Sequence, residues 1–203
     1  MNSHMNRYRI TADYDHDVER PDAYGIGKVV SFSNRHTAYQ HPDSIDPEDT
    51  LATLSYYEHG LCKWMVGSST VSDYGHFDTV DVAGAIVWGD DVSESDREWY
   101  NGLDPDEQRT ILDLIAATYT EWANGDCYMF RIERLDNCME CGTTLTSDAG
   151  IEDAGLGGIV GDEDLVYQIR ESLTEYGIDP NESEFEYAGE AKYMIEDQDW
   201  SQQ

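Results

Sequence analysis

Asp104-Pro105-Asp106-Glu107 opens a helix, Gly125 closes it, and Cys127-Tyr128-Met129-Phe130-Arg131-Ile132-Glu133 follows as a strand. This stretch decides the fold class. Asp104 suits the N-cap, Pro105 fits the first helical position, and Asp106 and Glu107 place acids at the positive end of the helix dipole. Ile111, Leu114, Ile115, Thr118, Tyr119 and Trp122 recur at helical spacing and form the predicted core face, and Gly125 supplies the stop. In the strand, Tyr128, Phe130 and Ile132 alternate with the odd positions, so one face is expected to meet the core.

Working outward, a second helix starts near Asp162, carries Leu165, Val166, Ile169 and Leu173, and stops at Gly177. A shorter one runs from Ser93 to Gly102. Tyr8–Ala12, Lys28–Phe32, Leu51–Tyr57 and Gly84–Trp88 read as further strands, being short and rich in β-branched or aromatic residues. Phe185–Ile195 is a final candidate, a hairpin or an edge, interrupted by Gly189. The expectation is an α+β fold: a mixed or antiparallel sheet with two main helices packed on it. Met1–Met5 reads as a cloning remnant, and residues 6–203 as a single α+β domain with a strongly acidic C-terminal part.

Charge is the anomaly in the composition. Of 203 residues, 43 are acidic and 12 are Lys or Arg, a formal net charge of −31. The excess is greatest at the end: residues 151–203 hold 15 acids and 2 bases. Such a chain repels DNA, RNA and anionic membranes, so direct nucleic-acid binding is not expected. No run of 18 apolar residues is present, no signal peptide is expected, and four cysteines make no disulfide framework. A cytoplasmic protein that does not engage membranes is the expectation.

Four segments, in order, resemble an uncharacterised protein family of phages and bacterial mobile elements. They are Tyr56-Tyr57-Glu58-His59-Gly60 with Cys62-Lys63-Trp64; Phe77-Asp78 leading to Gly84–Trp88; Tyr119–Trp122 with Asn124-Gly125-Asp126-Cys127-Tyr128; and Glu152-Asp153 to Gly161–Leu165. The family pattern Asp-Ser-Gly reads Asp78-Thr79-Val80 here, and a cysteine usual near position 154 is Ala154. The resemblance implies phage origin and a shared fold, and it carries no activity with it.

Candidate chemistry is sparse. Cys138-Met139-Glu140-Cys141 is half of a zinc ribbon, and a structural zinc would need two more ligands from residues such as Cys62, His59, Cys127 or His76. A redox dithiol and ordinary loop cysteines are the alternatives. His59 with Cys62 is a candidate nucleophile–base pair, against a turn histidine beside a buried thiol. Asp13-Tyr14-Asp15-His16-Asp17 begins like a calcium loop but has Val18 and Tyr24 where the loop needs Gly and Glu. Asp162, Glu163 and Asp164 suit a helix N-terminus better than a magnesium site. No cofactor is expected.

Three function classes follow. The first is an acidic interaction protein that blocks a basic site of a host or defence protein, possibly as a DNA mimic. On this reading Glu182, Glu184, Glu186, Glu190, Asp162, Glu163 and Asp164 would meet the partner. The charge equals that of roughly 15 base pairs, but spread over about 9,600 Å² it is roughly threefold more dilute than on a duplex, so the acids must gather on one face. The second is salt adaptation, because Lys occurs only at 28, 63 and 192. The third is a metal- or thiol-dependent enzyme.

Overall fold

The computed structural model describes residues 6–21, 26–68, 78–137, 144–147 and 155–201. In chain order the elements are β1 (Asn6–Tyr14), β2 (Gly27–Ser31), β3 (Thr50–His59), β4 (Leu61–Val66), β5 (Thr79–Trp88), α1 (Glu94–Gly102), α2 (Pro105–Asn124), β6 (Cys127–Asn137), β7 (Thr144–Ser147), β8 (Gly155–Val160), α3 (Asp162–Glu175) and β9 (Ser183–Ala188). The α+β class holds, but the strands build two sheets. The chain divides into a discontinuous unit, Met1–Glu19 with Asp126–Gln203, and a continuous unit, Arg20–Gly125.

In the discontinuous unit the sheet order is β7-β6-β1-β9, with β8 also paired to β6. β6 is long enough to hold β8 along Cys127–Arg131 and β7 along Arg134–Asn137. Its alternation resolves as expected: Tyr128, Phe130 and Ile132 are buried, opposite Tyr14, Ala12 and Ile10 of antiparallel β1. β9 joins β1 in parallel. Helix α3 lays Leu165, Ile169 and Leu173, spaced by four, into the same core, and Ile195 and Trp200 of the C-terminal segment complete it. Gly189 (φ +91°) turns the chain there: a Cβ at this position would stand 2.1 Å from the Ala12 carbonyl oxygen. The segment 185–195 is therefore not a hairpin: its first part belongs to an edge strand, β9. β9 ends at Ala188, and a short 3₁₀ turn follows at Lys192–Met194.

In the continuous unit an antiparallel sheet of order β2-β5-β3-β4 packs against α2. Both long-helix caps form as the sequence indicates. Asp104 accepts from the N–H groups of Asp106 and Glu107, Glu107 returns a bond to the Asp104 N–H, and Gly125 adopts the left-handed stop. The buried face of α2 is Leu112, Ile115, Ala116, Thr118 and Tyr119. Leu114, expected in the core, is 49% exposed. It lies about 200° around the helix from Leu112, which takes the core position instead.

The edge of β4 is closed by side chains of α2. Asn124 Oδ1 accepts from the Cys62 N–H at 2.8 Å and Nδ2 donates to the Cys62 carbonyl at 3.1 Å. Thr120 Oγ1 accepts from the Trp64 N–H at 2.9 Å, and Arg109 donates to the Val66 carbonyl at 3.1 Å. An otherwise open strand edge is thereby satisfied within the unit.

Candidate functional site: acidic surface and aromatic cleft

The acids singled out in the C-terminal part all lie in the discontinuous unit, in different settings. Glu184 and Glu186 stand on β9 directly opposite Arg7 and Arg9 of β1. Arg7 bonds Glu186 and lies 3.8 Å from Glu184, while Arg9 Nη2 donates to Glu186 at 3.1 Å. These two carboxylates are matched inside the sheet. Glu182 and Glu190 flank β9 and are exposed. Asp162, Glu163 and Asp164 form the exposed first turn of α3, where no side-chain cap is present and their charge meets the helix dipole. Asp162 also accepts from the buried Tyr128 hydroxyl at 2.6 Å. Nearby Asp126 has its carboxyl pKa raised, first by burial and then by the Asp162 charge.

Two of the N-terminal acids bind backbone groups of distant segments of the same unit. Asp13 Oδ1 accepts from the Glu190 N–H at 2.8 Å, and Asp15 Oδ2 accepts from the Gly158 N–H at 2.9 Å.

A second acidic run lies outside the expected partner contacts, although its last three members are expected as helix-start acids. Asp90, Asp91, Glu94, Asp96, Glu98, Asp104, Asp106 and Glu107 are all exposed, in and around α1 and the start of α2. Helix capping by Asp96, Asp104 and Glu107 accounts for part of this density. Against such excess, Arg7, Arg9, Lys28, Arg97, Arg109, Arg131 and Arg134 all form ion pairs with carboxylates of the same unit.

The continuous unit also holds a cleft of about 540 Å³ between the β3–β4 hairpin, the end of α2 and the loop after β2. Tyr56 pairs with Trp64 and Glu58 with Cys62 across the hairpin, so all four side chains share one face. The ring centroids of Tyr56 and Trp64 are 4.7 Å apart, and His36 lies 5.0 Å from Tyr56 and 5.4 Å from Trp64. Tyr119 continues the wall at 5.6 Å from Trp64, and Trp122 at 5.4 Å from Tyr119. His36 is fixed through Nδ1, 2.7 Å from the Oγ of fully buried Ser31. Burial lowers the His36 pKa, with the Glu58 charge opposing. Burial lifts the Tyr119 hydroxyl to about 12. The Tyr56 hydroxyl is pushed up by burial and by its hydrogen bond to Glu58. Sequence reading missed His36, whose only signal was proximity to a strand end.

The same register separates His59 from Cys62. His59 pairs with Leu61, so it faces away from the Glu58–Cys62 side, and its ring sits 3.3 Å from Asp78. The two do not form a nucleophile–base pair. Cys62 is half-buried and takes part in no disulfide among the described residues. Cys138, Cys141, His76, Phe77, Tyr24, Glu152, Asp153 and Ala154 lie outside the described residues. Among the described residues no three His, Cys, Asp or Glu side chains gather to hold a metal ion, and no helix is long and apolar enough to cross a membrane. No family model matches the chain, and no curated protein and no solved structure matches it significantly.

Proposed function

We propose that this chain is an acidic interaction protein that occupies a basic, nucleic-acid-binding surface of a protein partner and competes with nucleic acid for it. The observation that carries this reading is the fate of the cations. Among the described residues at least seven of the 12 Lys and Arg side chains are engaged in ion pairs within their own unit, while exposed carboxylates remain in large excess. The field reaching an external partner is therefore negative, and association with a basic groove gains from steering and counterion release. That the partner belongs to a host or its defences follows from the phage-family resemblance and is part of the proposal. No nucleic acid is bound directly, and the residues engaging the partner are the exposed Glu182, Glu190, Asp162, Glu163 and Asp164, with Glu184 and Glu186 contributing less.

One observation favours salt adaptation instead. The acids are not confined to one sheet: the run from Asp90 to Glu107 in the continuous unit resembles in density the run in the C-terminal part. Two measurements separate the readings. Displacement of a labelled duplex from a basic DNA-binding protein supports occupation of its groove. Unfolding at low ionic strength with refolding in multimolar KCl supports adaptation, and refutes the first reading if no displacement occurs at any salt where the chain is folded.

A further inference from the structure

The aromatic cleft of the continuous unit is not explained by the acidic surface, and its chemistry is specific. We propose that it is a binding site for an organic cation with dispersed charge, an alkylated ammonium or a guanidinium group. Half-buried Trp122 and His36 line the cleft over the largely covered rings of Tyr56, Trp64 and Tyr119, and the exposed Glu58 carboxylate stands on the same face of the hairpin as Tyr56 and Trp64. Aromatic rings attract a cation through their quadrupole, and a single carboxylate at the rim supplies charge without the tight hydration shell a metal would demand.

Two features favour a cation over an anion or a neutral ligand. The exposed Glu58 carboxylate stands on the cleft face of the hairpin, and burial lowers the pKa of the His36 ring packed 5.0 Å from Tyr56, which disfavours a positive charge on the protein's own side of the cleft. The chain also stacks its own guanidinium groups on indole rings elsewhere, Arg97 over Trp88 at 5.0 Å and Arg170 over Trp200 at 5.8 Å. The cleft volume exceeds that of a bare tetraalkylammonium head, leaving room for the chain that bears it.

The shared chemistry has two sources, a free quaternary ammonium solute or an arginine side chain of a partner. Titration of the folded protein with choline, with N-acetyl-arginine amide and with the neutral choline isostere 3,3-dimethylbutan-1-ol, at constant ionic strength and followed by NMR, tests it. Saturable shifts at His36 and Trp122 are expected, with a cation bound about tenfold more tightly than the isostere. Glu58→Gln and Trp122→Leu should each weaken binding about fivefold or more, and Glu171→Gln, at an exposed position of the other unit, should leave it unchanged. Saturation by choline alone assigns a free solute, and saturation by the arginine amide alone assigns a partner side chain. If neither cation saturates the cleft, if the neutral isostere binds equally, or if Glu171→Gln weakens binding as much as Glu58→Gln, the inference is overturned. Binding to a basic protein does not depend on this outcome.

Discussion

Replacing Asn124 with alanine tests how the cleft is built. Its amide satisfies both backbone groups of Cys62, at 2.8 Å and 3.1 Å, and so ties the last turn of α2 to the edge of β4. Each such bond contributes about 0.5–1.5 kcal/mol net, and the Cys62 groups left behind are only half accessible to water. Alanine recovers little helix propensity, because Asn124 is the last helical residue before the Gly125 stop. A loss of about 1–2 kcal/mol is expected, without a change in the denaturant slope. Urea titration measures the global cost, and amide exchange at Cys62 reads the edge itself. Asn124→Asp keeps an acceptor for the N–H, loses the donor to the carbonyl, and adds negative charge at the negative end of the dipole, so it should cost as much. A cost below about 0.5 kcal/mol with unaccelerated Cys62 exchange would show that α2 does not seal β4 through this residue.

Trp200→Ala should destabilise the discontinuous unit by about 3–5 kcal/mol, because the ring is 6% exposed in the core and its Nε1 donates to the Tyr187 hydroxyl at 3.0 Å; thermal or urea melting checks it. Trp200→Phe should cost markedly less, retaining most of the buried area. Asp126→Asn should stabilise the fold at pH 7. A carboxyl pKa raised on folding contributes stability that is complete below the ordinary value of 3.8 and is lost as pH rises through the raised one, so the gain should vanish on acidification below 3.8 in a pH series of urea melts. Glu182→Gln with Glu190→Gln should weaken binding to a basic partner and leave stability unchanged. Glu184→Gln with Glu186→Gln should add up to about 1 kcal/mol of destabilisation by releasing Arg7 and Arg9, read by paired affinity and melting measurements.

Local signals were legible where the chain dictates its own structure. The Asp104 cap, the Gly125 stop and the alternation of Tyr128, Phe130 and Ile132 each depend on neighbours in sequence, and each is present. What depends on distant partners was hidden. Arg7 lies opposite Leu135 on one side and Glu184 on the other, pairings that no local pattern specifies. β8 carries Gly155, Gly157 and Gly158, which mask a strand, and it forms because β6 offers a partner edge. β4 is absent from the expected strands, although Cys62 and Trp64 alternate with Lys63 and Met65 onto the cleft face. The Glu184 and Glu186 charges were visible as residues, but their neutralisation by Arg7 and Arg9 exists only through the parallel register. His36 reaches the aromatic wall through a loop and a bond to Ser31, neither of which leaves a spacing signature.

The salt dependence of binding to a basic nucleic-acid-binding protein tests the central claim most directly. Measured with a folded sample between ~50 and ~200 mM salt, the affinity should fall at least about tenfold, with a linear dependence of log K on log salt concentration, as expected when a polyanion is exchanged for counterions. An affinity that stays flat over that range, or a basic partner that keeps its nucleic acid when this protein is in excess, contradicts the account.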